Sequence, residues 1–209
     1  MSKIFLHTIA SIKAEIAQPQ GSSDKLGLLA RGLRWHNHIE TEEMAALMEL
    51  AVYIQGSHAV DCWEVQRVVL EILTERAELL HLPYLLETFY QKGKRGDDRR
   101  RLALKALSRV AAHTGDPQAL QALESGLAHV KKDTRGWSIG YLMDSYSCLE
   151  RPLPQTVVQR LHTIAAQDPS PDVRVEAVSA LAQLGLADEQ AVSAVLAAAQ
   201  AMQPQEHQH

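Results

Sequence analysis

The residues best suited to binding another molecule lie on one predicted helix in the second half of the chain. Trp137, Tyr141 and Asp144 are spaced by four and three residues, which places them on one face of a helix. Tryptophan and tyrosine dominate the energetic hot spots of protein interfaces. The same helix contains Gly136 and Gly140, although a glycine in a helix interior costs up to about 1 kcal/mol. Two interpretations stay open: this face is a binding site, or its large side chains fill core space opposite the glycines.

A second candidate surface is basic. Residues 92–136 carry a net charge of +6, whereas residues 1–91 and 137–209 each carry −5. Nine of the eleven cations of this segment lie at two junctions between predicted helices: Lys92, Lys94, Arg95, Arg99, Arg100 and Arg101 at the first, and Lys131, Lys132 and Arg135 at the second.

Equivalent junctions of a helical repeat project from the same edge, so these cations could form one stripe for phosphates or for an acidic protein. The alternative is that they are solvated turn charges. We predict that four of them orient a partner and increase its association rate: Arg99, Arg101, Lys131 and Lys132.

Residue types that catalyse reactions or hold metals are present, but their spacing favours neither role. His-x-His pairs begin at His36 and His207, and both lack the third and fourth ligands that a metal site needs. Ser147 and Cys148 have no histidine at useful spacing, and the chain has no nucleophile elbow, phosphate-binding loop or dinucleotide fingerprint. We therefore predict no catalytic residue, no metal and no cofactor.

Helices must position these residues, because apolar side chains recur at spacings of three and four along most of the chain. Short breaks rich in glycine and proline separate the apolar stripes. The pattern predicts a helix within residues 1–20, helix pairs at 24–37 with 41–55 and 58–79 with 82–92, and three further pairs whose second helices cover 117–131, 154–167 and 188–202.

An Asp-x-Arg motif opens the first helix of each of the last three pairs. The copies are Asp98/Arg100, Asp133/Arg135 and Asp172/Arg174, at spacings of 35 and 39 residues. Small and aliphatic residues follow each motif in a similar register, which is the pattern of an internal repeat.

The segment from Asp172 to Gly185 resembles the first helix of a HEAT-like repeat, of the kind seen in phycobilin-lyase-type repeat proteins. The resemblance covers residues 97–202 and is degenerate before them. It implies a right-handed α-α superhelix of about five helical hairpins with a broad concave surface. It also implies that the aspartates and arginines of the three motifs form a ladder between neighbouring repeats.

These observations predict one HEAT-like solenoid over residues 1–203. It comprises a capping helix at 1–20, degenerate repeats at 21–96 and clear repeats at 97–203, followed by a disordered tail at 204–209. Only two cysteines are present, far apart and in no metal or redox spacing, which fits reduced thiols in a cytoplasmic protein. No apolar stretch is long enough to cross a bilayer.

The predicted function is a non-catalytic adaptor or inhibitor whose concave face, formed mainly by the second helices of the pairs, binds a protein. The first alternative is a nucleic-acid-binding protein, including a HEAT-like DNA glycosylase that excises alkylated bases from a basic concave surface. The second alternative, which depends on the repeat resemblance alone, is a phycobilin-lyase-like protein that handles a chromophore.

Overall fold

The computed structural model describes residues 3–18, 20–34, 36, 39–55, 61–91, 96–187, 189 and 192–193. Within these ranges the regular elements are ten α-helices and one 3-10 turn, with no strand. The prediction of an all-α chain is therefore confirmed, and the element order is compatible with a helical repeat.

The helices match the predicted pairs closely. Their bounds are α1 Lys3–Ile16, α2 Ser23–Arg34, α3 Thr41–Gln55, α4 Trp63–Arg76, α5 Leu82–Tyr90, α6 Gly96–Thr114, α7 Pro117–Gly126, α8 Lys132–Cys148, α9 Gln155–Gln167 and α10 Pro171–Gln183. The 3-10 turn Leu79–His81 precedes α5. Most of the helix predicted at 188–202 and all of the tail predicted at 204–209 lie outside the described residues.

The chain divides into two compact units, Met1–Ala106 and Leu107–His209, and the division falls within α6. In the first unit, α1 packs against α2 and α3, and α4 packs against the same two helices. The largest fully buried side chains of this unit include Phe5, Ile12, Leu26, Leu33, Leu47, Leu50, Leu70 and Leu73. Each such leucine contributes about 1.5–3 kcal/mol by leaving water. The single solenoid over residues 1–203 stays a prediction.

In the second unit, α8 packs against α7 and α10, and α9 packs against α10. Apolar side chains from its helices form its core: Leu107, Val110, Ala122, Leu123, Leu161, Ala165, Ala177 and Leu181 are all at most 1% exposed. Many of these side chains are small, so the helices can approach one another closely.

Two helices of the second unit begin with a proline in the first turn. Asp116 Oδ1 accepts hydrogen bonds from the backbone N–H groups of Gln118 and Ala119, at 2.9 and 3.0 Å, and Pro117 occupies the first turn. Pro171 has the same place in α10. Both prolines stand where a missing N–H removes no helical hydrogen bond.

Among the residues that the structure describes, none of the helices combines the length and the apolar character that a membrane crossing requires.

Candidate functional site

Helix α8 has a buried face and a second face that lines a groove. The buried face carries Thr134, Arg135, Ser138, Ile139, Leu142, Ser145 and Tyr146. The groove face carries Asp133, Gly136, Trp137, Gly140, Tyr141 and Asp144. Both sets recur at spacings of three and four, as neighbours on one side of a helix do. The rings of Trp137 and Tyr141 are only partly buried and line the groove, whereas Tyr146 lies on the buried face.

The groove has a volume of about 350 Å³ and is lined by residues of α8 and α10. From α10 it receives Asp172, Val173 and Glu176. The structure thus brings Trp137 and Asp144 together with acidic side chains that lie about one repeat later in the sequence. A concave site with aromatic walls and a few polar groups is the usual form of a binding site.

Gly136 and Gly140 keep this groove open. A Cβ atom built on either glycine would meet no heavy atom within 4 Å beyond its immediate surroundings in the helix. Both residues line the groove, so the space beside them belongs to the groove and not to the core. Core packing therefore does not require glycine at either position.

The groove is predominantly acidic. Its lining contains the exposed carboxylates of Asp133, Asp144, Asp172 and Glu176 and one cation, Lys132. The Lys132 Nζ atom lies 2.9 Å from Asp172 Oδ2, which joins α8 to α10. The hydrogen bond to Asp172 raises the pKa of Lys132, so the ammonium stays charged.

A buried ion pair holds the start of α8 against the segment before α10. Arg135 Nε and Nη2 donate to the two carboxylate oxygens of Asp168 at 2.6 and 2.8 Å, and both side chains are at least 90% buried. Arg135 Nη1 also donates to the backbone carbonyls of His129 and Val130, at 2.8 and 3.1 Å. This bidentate geometry is the strong form of an arginine–carboxylate pair.

The same aspartate binds a second arginine. Arg174 Nη1 donates to the backbone carbonyl of Asp168 at 2.6 Å, and the Ser170 N–H donates to Asp168 Oδ1 at 2.9 Å. Burial acts to raise the pKa of Asp168, but the hydrogen bonds from Arg135 and Ser170 and the nearby positive charges outweigh it. The pKa of Asp168 therefore lies below its ordinary value.

Two serines fix the buried face of α8 against α6. The hydroxyls of Ser108 and Ser145 lie 3.0 Å apart, and the Ser145 hydroxyl also donates to the Tyr141 carbonyl at 2.7 Å. Tyr146 lies near Glu124 of α7; burial raises the pKa of both groups, and the Glu124 charge raises that of Tyr146 further. These contacts set the rotation of α8 and so direct Trp137 and Tyr141 into the groove.

The four cations predicted to orient a partner fall in both units. In the first unit, the Arg99 guanidinium lies over the Trp63 ring, 5.7 Å from its centroid, and Arg101 is exposed. In the second unit, Lys131 and Lys132 are exposed at the start of α8. Of these four, the structure places only Lys132 in the groove.

The remaining cations of the predicted stripe are in part engaged with the chain itself. Arg100 Nη2 lies 3.0 Å from Asp97 Oδ1, one helical turn earlier, and Arg135 binds Asp168. Lys92, Lys94 and Arg95 lie outside the described residues.

The predicted ladder residues have contacts of their own in the structure. Arg100 binds Asp97, Arg135 and Arg174 both bind Asp168, and Asp172 binds Lys132. Asp98 and Asp133 are exposed, and Asp133 lines the groove. The Arg135–Asp168 pair joins α8 to the end of α9, and the Lys132–Asp172 pair joins α8 to α10. Asp168 and Lys132 are not motif residues, and the ladder between repeats stays a prediction.

His36, from the first His-x-His pair, lies beside a smaller cavity of about 170 Å³ in the first unit. Its ring packs edge-on against Phe5, with the centroids 5.1 Å apart. The cavity also contains Glu71, which pairs with Arg34 at 3.1 Å. His38, His207 and His209 lie outside the described residues. Within the described part of the chain, no three His, Cys, Asp or Glu side chains are grouped to hold a metal ion.

No protein-family model, curated protein or solved structure matches this chain. The site must therefore be judged on its own geometry.

Sequence reasoning identified the α8 residues of the groove and missed those of α10. It predicted a binding face formed mainly by the second helices of the pairs, whereas α8 and α10 are both first helices. Asp172 entered only as a ladder residue, Glu176 and Val173 only as parts of a repeat, and Asp168 only as part of a break between helices. The available signal was the shared motif: α8 and α10 both begin with Asp-x-Arg, and equivalent helices of a repeat are expected to pack side by side.

Proposed function

We propose that this chain is a non-catalytic binding protein, an adaptor or an inhibitor, that engages a protein partner through the groove between α8 and α10. The observation that carries the proposal is the position of Trp137 and Tyr141, which line an open groove beside two glycines. Partly exposed aromatic rings in a concave site are the usual anchors of a protein interface. The family proposal is that the hairpins are degenerate HEAT-like repeats.

Packing within the second unit supports that family proposal. The helices α8 and α10 both begin with Asp-x-Arg and contact each other, while α9 contacts α10. Repeat proteins stack equivalent helices in this way, because one hairpin cannot bury its apolar face alone. We also propose a cytoplasmic location, which free thiols at Cys62 and Cys148 favour.

The test is capture of partners from an extract of the producing cells by the immobilised full chain, with nuclease added. Quantitative mass spectrometry compares wild type with Trp137→Ala and Tyr141→Ala. Loss of a hot-spot aromatic costs about 2 kcal/mol or more, which is roughly thirtyfold in affinity. We expect a protein that wild type retains and both groove variants lose.

Tyr53→Ala is the matched control, because Tyr53 is an aromatic residue of α3 in the first unit and is 42% exposed. It should capture the same protein as wild type. Circular dichroism of each variant checks that it is folded. Equal capture by wild type and by the groove variants would contradict the proposal.

Nucleic-acid binding is the second proposal, and the exposed side chains of Arg101 and Lys131 favour it. It ranks lower because Arg100, Lys132 and Arg135 form ion pairs with carboxylates of the chain itself. It predicts that affinity for single- or double-stranded oligonucleotides falls steeply with salt and that Arg101→Glu weakens it. Recovery of nucleic acid alone from the untreated extract would favour this function.

A further inference from the structure

The net charge of the groove determines whether a positively or a negatively charged group, here called the guest, binds in it. Four carboxylates and one ammonium line it, a formal charge of −3, and all four acidic residues are exposed to solvent. An anionic guest would meet repulsion from Asp133 and Asp144 on one wall and from Glu176 on the other. A cationic guest gains from the same field.

Among cations, the aromatic residues favour a planar one as the guest. Trp137 and Tyr141 lie one turn apart on α8, and tryptophan is the best aromatic partner for a cation. A guanidinium stacks on such rings and directs its N–H groups in the plane toward carboxylates, which an ammonium does less well. Among the described residues, Arg99 already shows a guanidinium over an indole, with its Cζ atom 5.7 Å from the centroid of the Trp63 ring.

The two glycines give such a guest room. Glycine destabilises a helix interior, and nothing packs against Gly136 or Gly140. A flat group that approaches the α8 backbone would use the space that alanine methyl groups would fill.

Lys132 is itself a cation and already binds one of the carboxylates of the groove. Its ammonium reaches from α8 to Asp172 of α10 at 2.9 Å. A guest guanidinium would compete with it for that carboxylate. Removal of Lys132 should therefore strengthen binding of a cation, whereas a role for Lys132 in attracting an acidic partner predicts the opposite.

From these four observations we infer that the groove receives an arginine side chain presented by the partner protein. The inference rests on the proposed function and names the chemistry of the contact. The guanidinium stacks on Trp137 and Tyr141, and the carboxylates of Asp144, Asp172 and Glu176 accept its N–H groups.

The probe is a single-arginine peptide, acetyl-Gly-Gly-Arg-Gly-Gly-amide, titrated into the full chain at physiological salt. Matched peptides carry citrulline or glutamate in place of arginine; citrulline keeps the shape and lacks the charge. The readout is the indole N–H resonance of Trp137 in ¹⁵N-labelled protein, assigned by its disappearance in Trp137→Phe. The Trp63 indole serves as an internal control, because Arg99 already covers that ring.

We expect a saturable shift of the Trp137 resonance with the arginine peptide and no shift with the glutamate peptide. Binding of the citrulline peptide should be weaker by about fivefold or more, since it lacks charge-assisted hydrogen bonds. Asp144→Asn and Glu176→Gln should each weaken arginine binding by a similar factor, and Lys132→Gln should strengthen it. Glu42→Gln, which removes an exposed acid of α3 in the first unit, is the matched control and should leave it unchanged.

Three results would overturn the inference: no saturable shift with arginine, a preference for the glutamate peptide or for an oligonucleotide, or weaker arginine binding by Lys132→Gln. Failure of the proposed function looks different. If partner capture depends on Trp137 but the arginine peptide does not bind, the protein-binding function stands and the arginine inference fails. If the peptide binds but capture does not depend on Trp137, the proposed function fails and the chemistry of the groove stands.

Discussion

Helices α8 and α10 begin with the same Asp-x-Arg motif and pack against each other, yet they use the motif differently. Arg135 of α8 is buried and binds the carboxylate of Asp168 with two hydrogen bonds. Arg174 of α10 is half-buried and binds the backbone carbonyl of the same residue. Arg135 and Arg174 occupy the same position in two copies of the motif. Both bind Asp168, which lies between them in the sequence.

The rest of the two helices differs as well. α10 buries a stripe of Val173, Ala177, Val178, Ala180 and Leu181. In the corresponding stretch α8 buries Ser138 and Ser145 and presents aromatic side chains and glycines to the groove. α8 still buries Ile139 and Leu142, but the serines on its buried face and the glycines on its groove face depart from what stability alone favours. Such local departures are expected at functional sites.

Substitution of Asp168 tests the different roles of the two arginines. Asp168→Ala leaves the buried Arg135 guanidinium without its carboxylate, so we expect a loss of unfolding free energy on the order of 3 kcal/mol. Asp172→Ala removes the other carboxylate that joins α8 to α10, but its pair with Lys132 is exposed and should contribute little. Urea denaturation monitored by circular dichroism measures both. If Asp168→Ala does not fold, Asp168→Asn gives the comparison, and equal effects at positions 168 and 172 would contradict the assigned roles.

Acid should weaken the same contact. Because the pKa of Asp168 lies below its ordinary value, its contribution to stability is complete above the pKa of the unfolded carboxyl, about 3.9. That contribution is lost as the pH falls through the folded pKa. The gap in urea midpoint between wild type and Asp168→Asn should therefore be constant from pH 7 to about 5 and close below about pH 4. A gap that stays constant to pH 2.5 would contradict this.

Alanine in place of the two groove-facing glycines of α8 should stabilise the protein. Gly136→Ala and Gly140→Ala add methyl groups that meet nothing within 4 Å. Each should stabilise the protein by about 0.5–1 kcal/mol, because alanine favours the helix and restricts the unfolded chain. Both should reduce binding of the arginine peptide. A lower melting temperature would show that the glycines serve packing after all.

The smallest expected effect lies on the buried face of α8. The Ser138 hydroxyl is buried and has no hydrogen-bond partner among the described residues, whereas the Ser145 hydroxyl bonds Ser108 and Tyr141. Ser138→Ala should be neutral or stabilising by less than about 1 kcal/mol, and Ser145→Ala should destabilise by about 1 kcal/mol. Thermal unfolding of the two variants measures this difference, and the reverse order would contradict the contacts.

Most of the fold could be predicted from the sequence, because the spacing of apolar residues along the chain indicates where helices form. The predicted bounds of α3 coincide with the structure, and those of α9 agree to within one residue. The spacing of Trp137, Tyr141 and Asp144 also predicted their shared face. The ends of α4 and α7 were predicted several residues too long, since apolar residues such as Val130 continue the helical period into an exposed turn.

The candidate site could be predicted only by half. Nothing local marks Asp168 as the partner of Arg135, because the two residues lie 33 positions apart and meet only through packing. The basic stripe was predicted from charge along the chain, but the groove that Lys132 enters is acidic, because α10 contributes Asp172 and Glu176 to it.

The sequence by itself determined the all-α class, the positions of the helices and the face on which each side chain lies, because a period of 3.6 residues is a property of neighbours in the chain. The tertiary structure alone decided which carboxylate each arginine binds, that the rings of Trp137 and Tyr141 line a groove, and what charge that groove carries. The physical reason is that ion pairs, burial and electrostatic potential depend on distances between helices, and packing sets those distances.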